Sequence, residues 1–121
     1  MSRVLIIDDS PTDRKKMAGV VESLGFEVLE ADNGADGVKK AKEKQPDLIL
    51  MDIIMPDING FQATRELSKD AASTNIPIIV VTTKDQETDR VWGMRQGASE
   101  FLVKPVDEKA LAGAIRKFIP A

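Results

Sequence analysis

Asp8 and Asp9 end one apolar run of the sequence, Asp52 ends a second, Thr82 and Thr83 end a third, and Lys104-Pro105 follows a fourth. Three carboxylates brought together in a partly buried pocket need a countercharge. One pair at about 4 Å repels by about 4 kcal/mol at an effective dielectric near 20. Either some of them are protonated or a cation is bound. The chain has no histidine and no cysteine. Oxygen ligands alone suit Mg²⁺ or Mn²⁺, with water filling the vacant positions. The same absences exclude a Ser–His–Asp triad, a His-ligated zinc, an imidazole proton shuttle, disulfides, iron–sulfur clusters and a cysteine nucleophile.

The elements that position these residues are legible between them. Val4–Ile7, Leu48–Met51 and Ile76–Val81 are nearly continuous apolar segments, the last broken only by Pro77. Such runs suit strands covered on both faces of a parallel sheet. Phe26–Glu30 and Phe101–Val103 are more mixed or shorter and suit the two edges. Ser10-Pro11-Thr12-Asp13 places a capping residue before a first-turn proline, with an acid three positions after the cap. Met17, Val20, Val21 and Leu24 follow at helical spacing, and Gly25 stands where a C-terminal cap belongs. Asn33-Gly34 opens a second helix that ends before Pro46, a third runs from Gly60 toward Lys69, and a fourth from Gln86 to Gly97. Leu111, Ala114, Ile115 and Phe118 mark one face of a fifth. This alternation predicts an α/β fold, a doubly wound five-stranded parallel sheet with right-handed crossovers; with the first, third and fourth strands central and the other two at the edges, the order 2-1-3-4-5 known for flavodoxin-like folds fits.

In such a sheet ligands bind beyond the carboxyl ends of the strands, where strand order reverses. The reversal falls between the first and third strands, so Asp8, Asp9 and Asp52 converge there, with Thr82 and Lys104 on the same rim. Plainer roles exist for some of these residues. Asp9 or Ser10 could simply cap the first helix, and Lys104 could be an ion-pair partner of an acid. Asp52 is harder to explain that way, because it follows Leu-Ile-Leu-Met on a central strand and is otherwise a costly half-buried charge. The chain as a whole has 121 residues, 42% of them apolar, enough for one domain over 1–121 with its own core. With 17 basic and 20 acidic side chains the net charge is -3, which carries no footprint for nucleic acid. No segment approaches the roughly 20 apolar residues of a membrane span, and the first apolar run is too short for a signal peptide. A cytoplasmic monomer, with no membrane insertion, is the expectation.

Over essentially its whole length the sequence resembles the receiver domains of two-component response regulators. The resemblance is carried by Asp8-Asp9, Asp52 within Leu-Met-Asp-Ile-Ile-Met-Pro, Gly60, Thr82 and Lys104-Pro105. It implies that Asp52 is the phosphoacceptor and attacks a phosphohistidine on a partner histidine kinase. It also implies that Asp9, Asp52 and the Ile54 carbonyl ligate Mg²⁺, with Asp8 acting through water. Lys104 would hold one phosphoryl oxygen and the Thr82 hydroxyl would move to bond another. A dianionic phosphoryl among acids does require a divalent cation and an ammonium. Such a protein catalyses only its own phosphorylation and dephosphorylation and is not otherwise an enzyme.

Some positions depart from the commonest pattern of the family. Phe101 stands where many relatives carry a switch tyrosine, and it has no hydroxyl. Thr83 is larger than the alanine often found after the switch hydroxyl. Ile54 and Lys84 flank the path of a hydrolytic water, and Ile54 offers it no hydrogen bond, so fast loss of phosphate is not expected. With the sequence ending at Pro120-Ala121, no attached effector domain is expected, and in this family the fourth helix, fifth strand and fifth helix usually form the output face. Trp92 is either an exposed anchor for an output partner or a ring packed between helices. The lysines at 39, 40, 42 and 44 solvate the second helix. Gly60–Arg65 and Thr82–Asp89 resemble the single-domain regulators of twitching-motility, type IV pilus systems, which implies a chemotaxis-type kinase as phosphodonor. Motor regulation, a phosphate sink for a shared kinase, and a phosphorylation-independent binding module remain alternative outputs. A haloacid-dehalogenase-type phosphatase needs a second acid where Ile54 stands, and a flavodoxin-like cofactor site would be repelled by Asp8-Asp9.

Overall fold

The computed structural model describes residues 1–120; Ala121, the last residue of the expected domain, lies outside the described residues. The chain alternates strictly: β1 (Arg3–Ile7), α1 (Pro11–Ser23), β2 (Glu27–Ala31), α2 (Gly34–Lys44), β3 (Leu48–Met51), α3 (Gly60–Lys69), β4 (Ile78–Thr82), α4 (Glu87–Gln96), β5 (Glu100–Val103) and α5 (Glu108–Phe118). All pairings are parallel and the sheet order is β2-β1-β3-β4-β5, as the apolar pattern predicts. Every residue of β3 and β4 is buried, whereas β5 is partly exposed along its length. That is the centre-to-edge gradient read from the continuous and mixed runs.

Strand residues alternate between two cores. Val4, Ile6, Leu48, Leu50, Ile79 and Val81 pack with Met17, Val20 and Val21 of α1 and Leu111, Ala114 and Ile115 of α5. Leu5, Ile7, Ile49, Met51 and Ile78 point the other way, onto Val38 and Ala41 of α2 and Ala63 and Leu67 of α3. Burying each large aliphatic side chain contributes about 1.5–3 kcal/mol, so both faces of the sheet are held by its helices. A smaller cluster of Ile53, Val80 and Ala98, with Phe61 and Phe101 against it, lies under α4.

Strand bounds shift by one or two residues. The fourth strand begins at Ile78 rather than Ile76, because Pro77 has no N–H to donate; its carbonyl still accepts from Ile49 at 3.0 Å. The second helix ends as expected before Pro46, and its left-handed cap is Gln45 (φ 49°). The Gln45 amide fastens that turn by donating to the carbonyls of Lys42 and Ala72, both at 2.9 Å. Gly25 and Gly97 do adopt positive φ after α1 and α4. Among the described residues no helix is long and apolar enough to cross a membrane.

Candidate phosphoryl-transfer site

Backbone pairing runs one residue past three strand ends, and this fixes the rim. The Asp8 N–H donates to the Ala31 carbonyl at 3.1 Å, the Asp52 N–H to the Ile7 carbonyl at 2.9 Å, and the Lys104 N–H to the Thr82 carbonyl at 2.7 Å. Asp8, Asp52 and Lys104 are therefore anchored by the sheet itself, not by flexible loops. A site built on sheet ends is held more rigidly than one on loops.

Lys104 is the hub of the side chains. Its Nζ lies 2.7 Å from Asp8 Oδ2, 2.8 Å from Asp13 Oδ2 and 3.2 Å from Asp52 Oδ2. Asp8 is fully buried and Asp52 nearly so, at 0% and 7% exposure. Asp8 Oδ1 accepts from the Ser10 N–H at 2.9 Å, and Asp52 Oδ1 accepts from the N–H of Ile53 at 2.7 Å. Burial raises the Asp8 carboxyl above its usual range, against the lowering effect of hydrogen bonds from Lys104 and Ser10. Burial also disfavours the Lys104 ammonium, but hydrogen bonds to Asp13 and Asp8 and the charges of Asp52 and Asp8 outweigh it. The lysine is held above its ordinary pKa and stays charged.

Asp9 is exposed, yet its carboxylate closes the cluster: one oxygen each from Asp8, Asp9 and Asp52 lie within 4.8 Å of one another. Four carboxylates, counting Asp13, share the rim with a single ammonium, so the cluster keeps an excess of negative charge. A set of hard oxygens, two buried and one open to water, fits a small divalent cation that retains part of its hydration shell. Asp8, Asp9 and Asp52 are the side chains that could hold it.

The remaining predicted residues fall around this centre. Thr82 is fully buried at the end of β4, where its Oγ1 accepts from the Lys84 N–H at 3.4 Å. Ile54 is exposed and lines one hollow with Lys84, Met55, Asn59 and Phe61, beside Asp52. Thr83 is exposed and lines a separate hollow with Asp13, Lys104 and Pro105. Phe101 packs against Gly93 of α4, where a β-carbon would come within 3.0 Å of its ring. Trp92 is 47% exposed and lies beside α3, in a hollow with Asn59, Phe61, Gln62, Arg65 and Gln96. Val91, Met94 and Val103 are also exposed apolar residues of α4 and β5. Two of the α2 lysines do more than face water: Lys40 pairs with Asp36 at 3.2 Å and donates to the Glu30 carbonyl at 2.6 Å, and Lys42 pairs with Asp70 at 3.0 Å and Glu66 at 3.5 Å of α3 and its end.

Asp13 is the residue that sequence reasoning misplaces. An acid three positions after Ser10 reads as half of a capping box. Ser10 Oγ does accept from the Asp13 N–H at 3.2 Å, but the reciprocal bond is absent, because the Ser10 N–H is already given to Asp8. The Asp13 carboxylate goes to Lys104 instead, a contact across 91 residues that no local pattern announces.

Comparison with known proteins agrees with this geometry. The family model described as the response regulator receiver domain matches residues 4–116. Protein PilH of Pseudomonas aeruginosa is 58% identical over 115 residues, which is 95% of this chain and 95% of that protein. The sensor histidine kinase CheAY of Helicobacter pylori is 38% identical over 118 residues, 96% of this chain and 15% of that protein. The solved structure of the Vibrio cholerae chemotaxis protein CheY4 superposes with a TM-score of 0.90 at 28% identity, covering 98% of both chains.

Proposed function

Because the chain belongs to the response regulator receiver family of two-component signalling, we propose that Asp52 is its phosphoacceptor and that Lys104, Thr82, Asp8 and Asp9 serve the transfer. The observation that carries this reading is the pairing of Asp52 Oδ2 with Lys104 Nζ at 3.2 Å inside a cluster of three converging carboxylates. A carboxylate oxygen of Asp52 attacks the phosphorus of a phosphohistidine on the donor kinase. The P–N bond breaks, the imidazole nitrogen leaves with the bonding pair and is protonated, and an acyl phosphate remains on Asp52.

The chain's residues each have a physical task in that step. Asp8, Asp9 and Asp52, with the Ile54 carbonyl, would hold Mg²⁺ or Mn²⁺, whose charge would offset that of the phosphoryl oxygens. Lys104, kept protonated by its acidic neighbours, moves its ammonium onto a phosphoryl oxygen. Thr82 turns its hydroxyl from the Lys84 N–H toward another phosphoryl oxygen. Phe101, under α4 and beside Val80, lies next to the strand that carries Thr82 and passes that change to α4 and β5. Water returns Asp52 to the carboxylate by attacking phosphorus and releasing inorganic phosphate. No other substrate is turned over.

The donor is a histidine kinase of the chemotaxis type, and the phosphorylated form alters binding of an output protein on α4, β5 and α5. The Gly60–Arg65 and Thr82–Asp89 stretches and the likeness to PilH support a place in pilus or chemotaxis-like motility signalling.

Intact mass after incubation with acetyl phosphate tests the reading. We expect one phosphoryl adduct on the wild type that requires Mg²⁺ and is absent from Asp52→Asn. An adduct of equal yield on Asp52→Asn, or one formed equally in EDTA, would overturn it.

A further inference from the structure

We propose that Asp13 is a positioning residue that sets the threshold for phosphorylation, because its carboxylate holds the Lys104 ammonium while Asp52 is unmodified. This rests on Asp52 being the phosphoacceptor. The first observation is stoichiometric. An ammonium has three N–H donors, and Lys104 spends all three, on Asp8 at 2.7 Å, Asp13 at 2.8 Å and Asp52 at 3.2 Å. A phosphoryl oxygen that gains Lys104 must displace one of these acceptors.

The structure assigns which acceptor leaves. The Asp8 side chain has no exposed surface and its other oxygen is tied to the Ser10 N–H, so moving it strands a buried charge. Asp52 is itself the group being modified. The Asp13 side chain is 40% exposed on the first turn of α1, at the edge of the hollow it shares with Lys16, Thr83 and Pro105. It can turn into water without losing a buried partner. Its freedom has a local cause: the capping-box bond that would hold its carboxylate to Ser10 is pre-empted by Asp8, so among the described residues its hydrogen-bond partner is Lys104.

Two consequences follow, of opposite sign. With Asp13 present, the ammonium is shared among three carboxylates and the cluster keeps one more negative charge, which favours binding of a divalent cation. The same charge repels an incoming phosphoryl dianion and competes for the lysine that must receive it. Removing the charge therefore weakens the cation and strengthens the phosphoryl group. A residue needed only for folding would weaken both.

The test uses Asp13→Asn, which keeps the size of the side chain and the N–H that Ser10 caps. Mg²⁺ affinity is measured by titration calorimetry, and adduct formation by intact mass with acetyl phosphate at saturating Mg²⁺. One unit charge a few ångströms beyond contact, discounted for its exposure, predicts adduct formation roughly three- to tenfold faster and Mg²⁺ affinity weaker by a similar factor. Asp13→Glu, which retains the charge, is expected to stay near wild type in both. Adduct formation that is unchanged or slower in Asp13→Asn, while the wild type is phosphorylated, would overturn the role of Asp13. A wild type that forms no adduct would overturn the phosphoacceptor reading and this inference with it.

Discussion

Gly60 carries no chemistry of its own, yet the site depends on it. A β-carbon there would overlap the Asp52 carbonyl oxygen and come within 2.7 Å of Ile53 Cα, while the Gly60 N–H donates to the Ile53 carbonyl at 2.8 Å. Helix α3 therefore starts in direct backbone contact with the strand end that presents Asp52. Since backbone atoms cannot swing aside as a side-chain tip can, Gly60→Ala is expected to cost about 1–3 kcal/mol. Urea denaturation reads that loss, and an unchanged midpoint would mean that α3 shifts freely. Position 60 stood out in the sequence as a helix start and as part of the family pattern. The need for a missing β-carbon arises from the fold of the 52–60 loop and has no local signature.

At the scale of elements, the loop between β3 and α3 is fastened to the front of α2. Asp57 accepts from the N–H groups of Gly34 at 2.9 Å and Ala35 at 2.8 Å, beside the helix's own cap, in which Asn33 accepts from Asp36. These N–H bonds, Ala35 first and then Gly34, hold the Asp57 carboxyl below its usual range. A lowered native pKa means that the stabilisation is complete above the unfolded carboxylate value of about 3.9 and is lost as pH falls through the native value. Asp57→Ala should melt below wild type at neutral pH, with the gap closing under about pH 4. A gap that stays constant down to pH 3 would count against the bond's electrostatic origin. The capping residues Ser10, Asn33 and Gln86 were legible because N-caps are local signals. Asp57 was not, since the helix it caps begins 23 residues away.

For the molecule as a whole, the sheet gathers Asp8, Asp9, Asp13 and Asp52 on one rim against a single lysine. A folded state that collects this much like charge gains stability from any cation that binds it and not the unfolded chain. Mg²⁺ at a hundred times its dissociation constant should add about 2.7 kcal/mol, a rise of several degrees in Tm. EDTA should reverse the rise, and Asp9→Asn should abolish most of it. A Tm that climbs equally in Asp9→Asn would remove Asp9 from the ligand set.

The sequence by itself determined the alternation of strands and helices, which strands are central and which lie at the edges, and the presence of Asp8, Asp9, Asp52, Thr82 and Lys104 at strand ends. The physical reason is that hydrophobic period, turn chemistry and the polar end of an apolar run are all local, and parallel topology then sends every strand end to one rim. What only the tertiary structure decided is how those groups share their bonds. It gave one of the three Lys104 donors to Asp13, took the Ser10 N–H for Asp8, placed Trp92 against α3, and packed Gly60 on the Asp52 backbone. The Asp13–Lys104 contact spans 91 residues, and the others turn on which of several partners a group meets once the chain is folded, which no spacing of residues encodes.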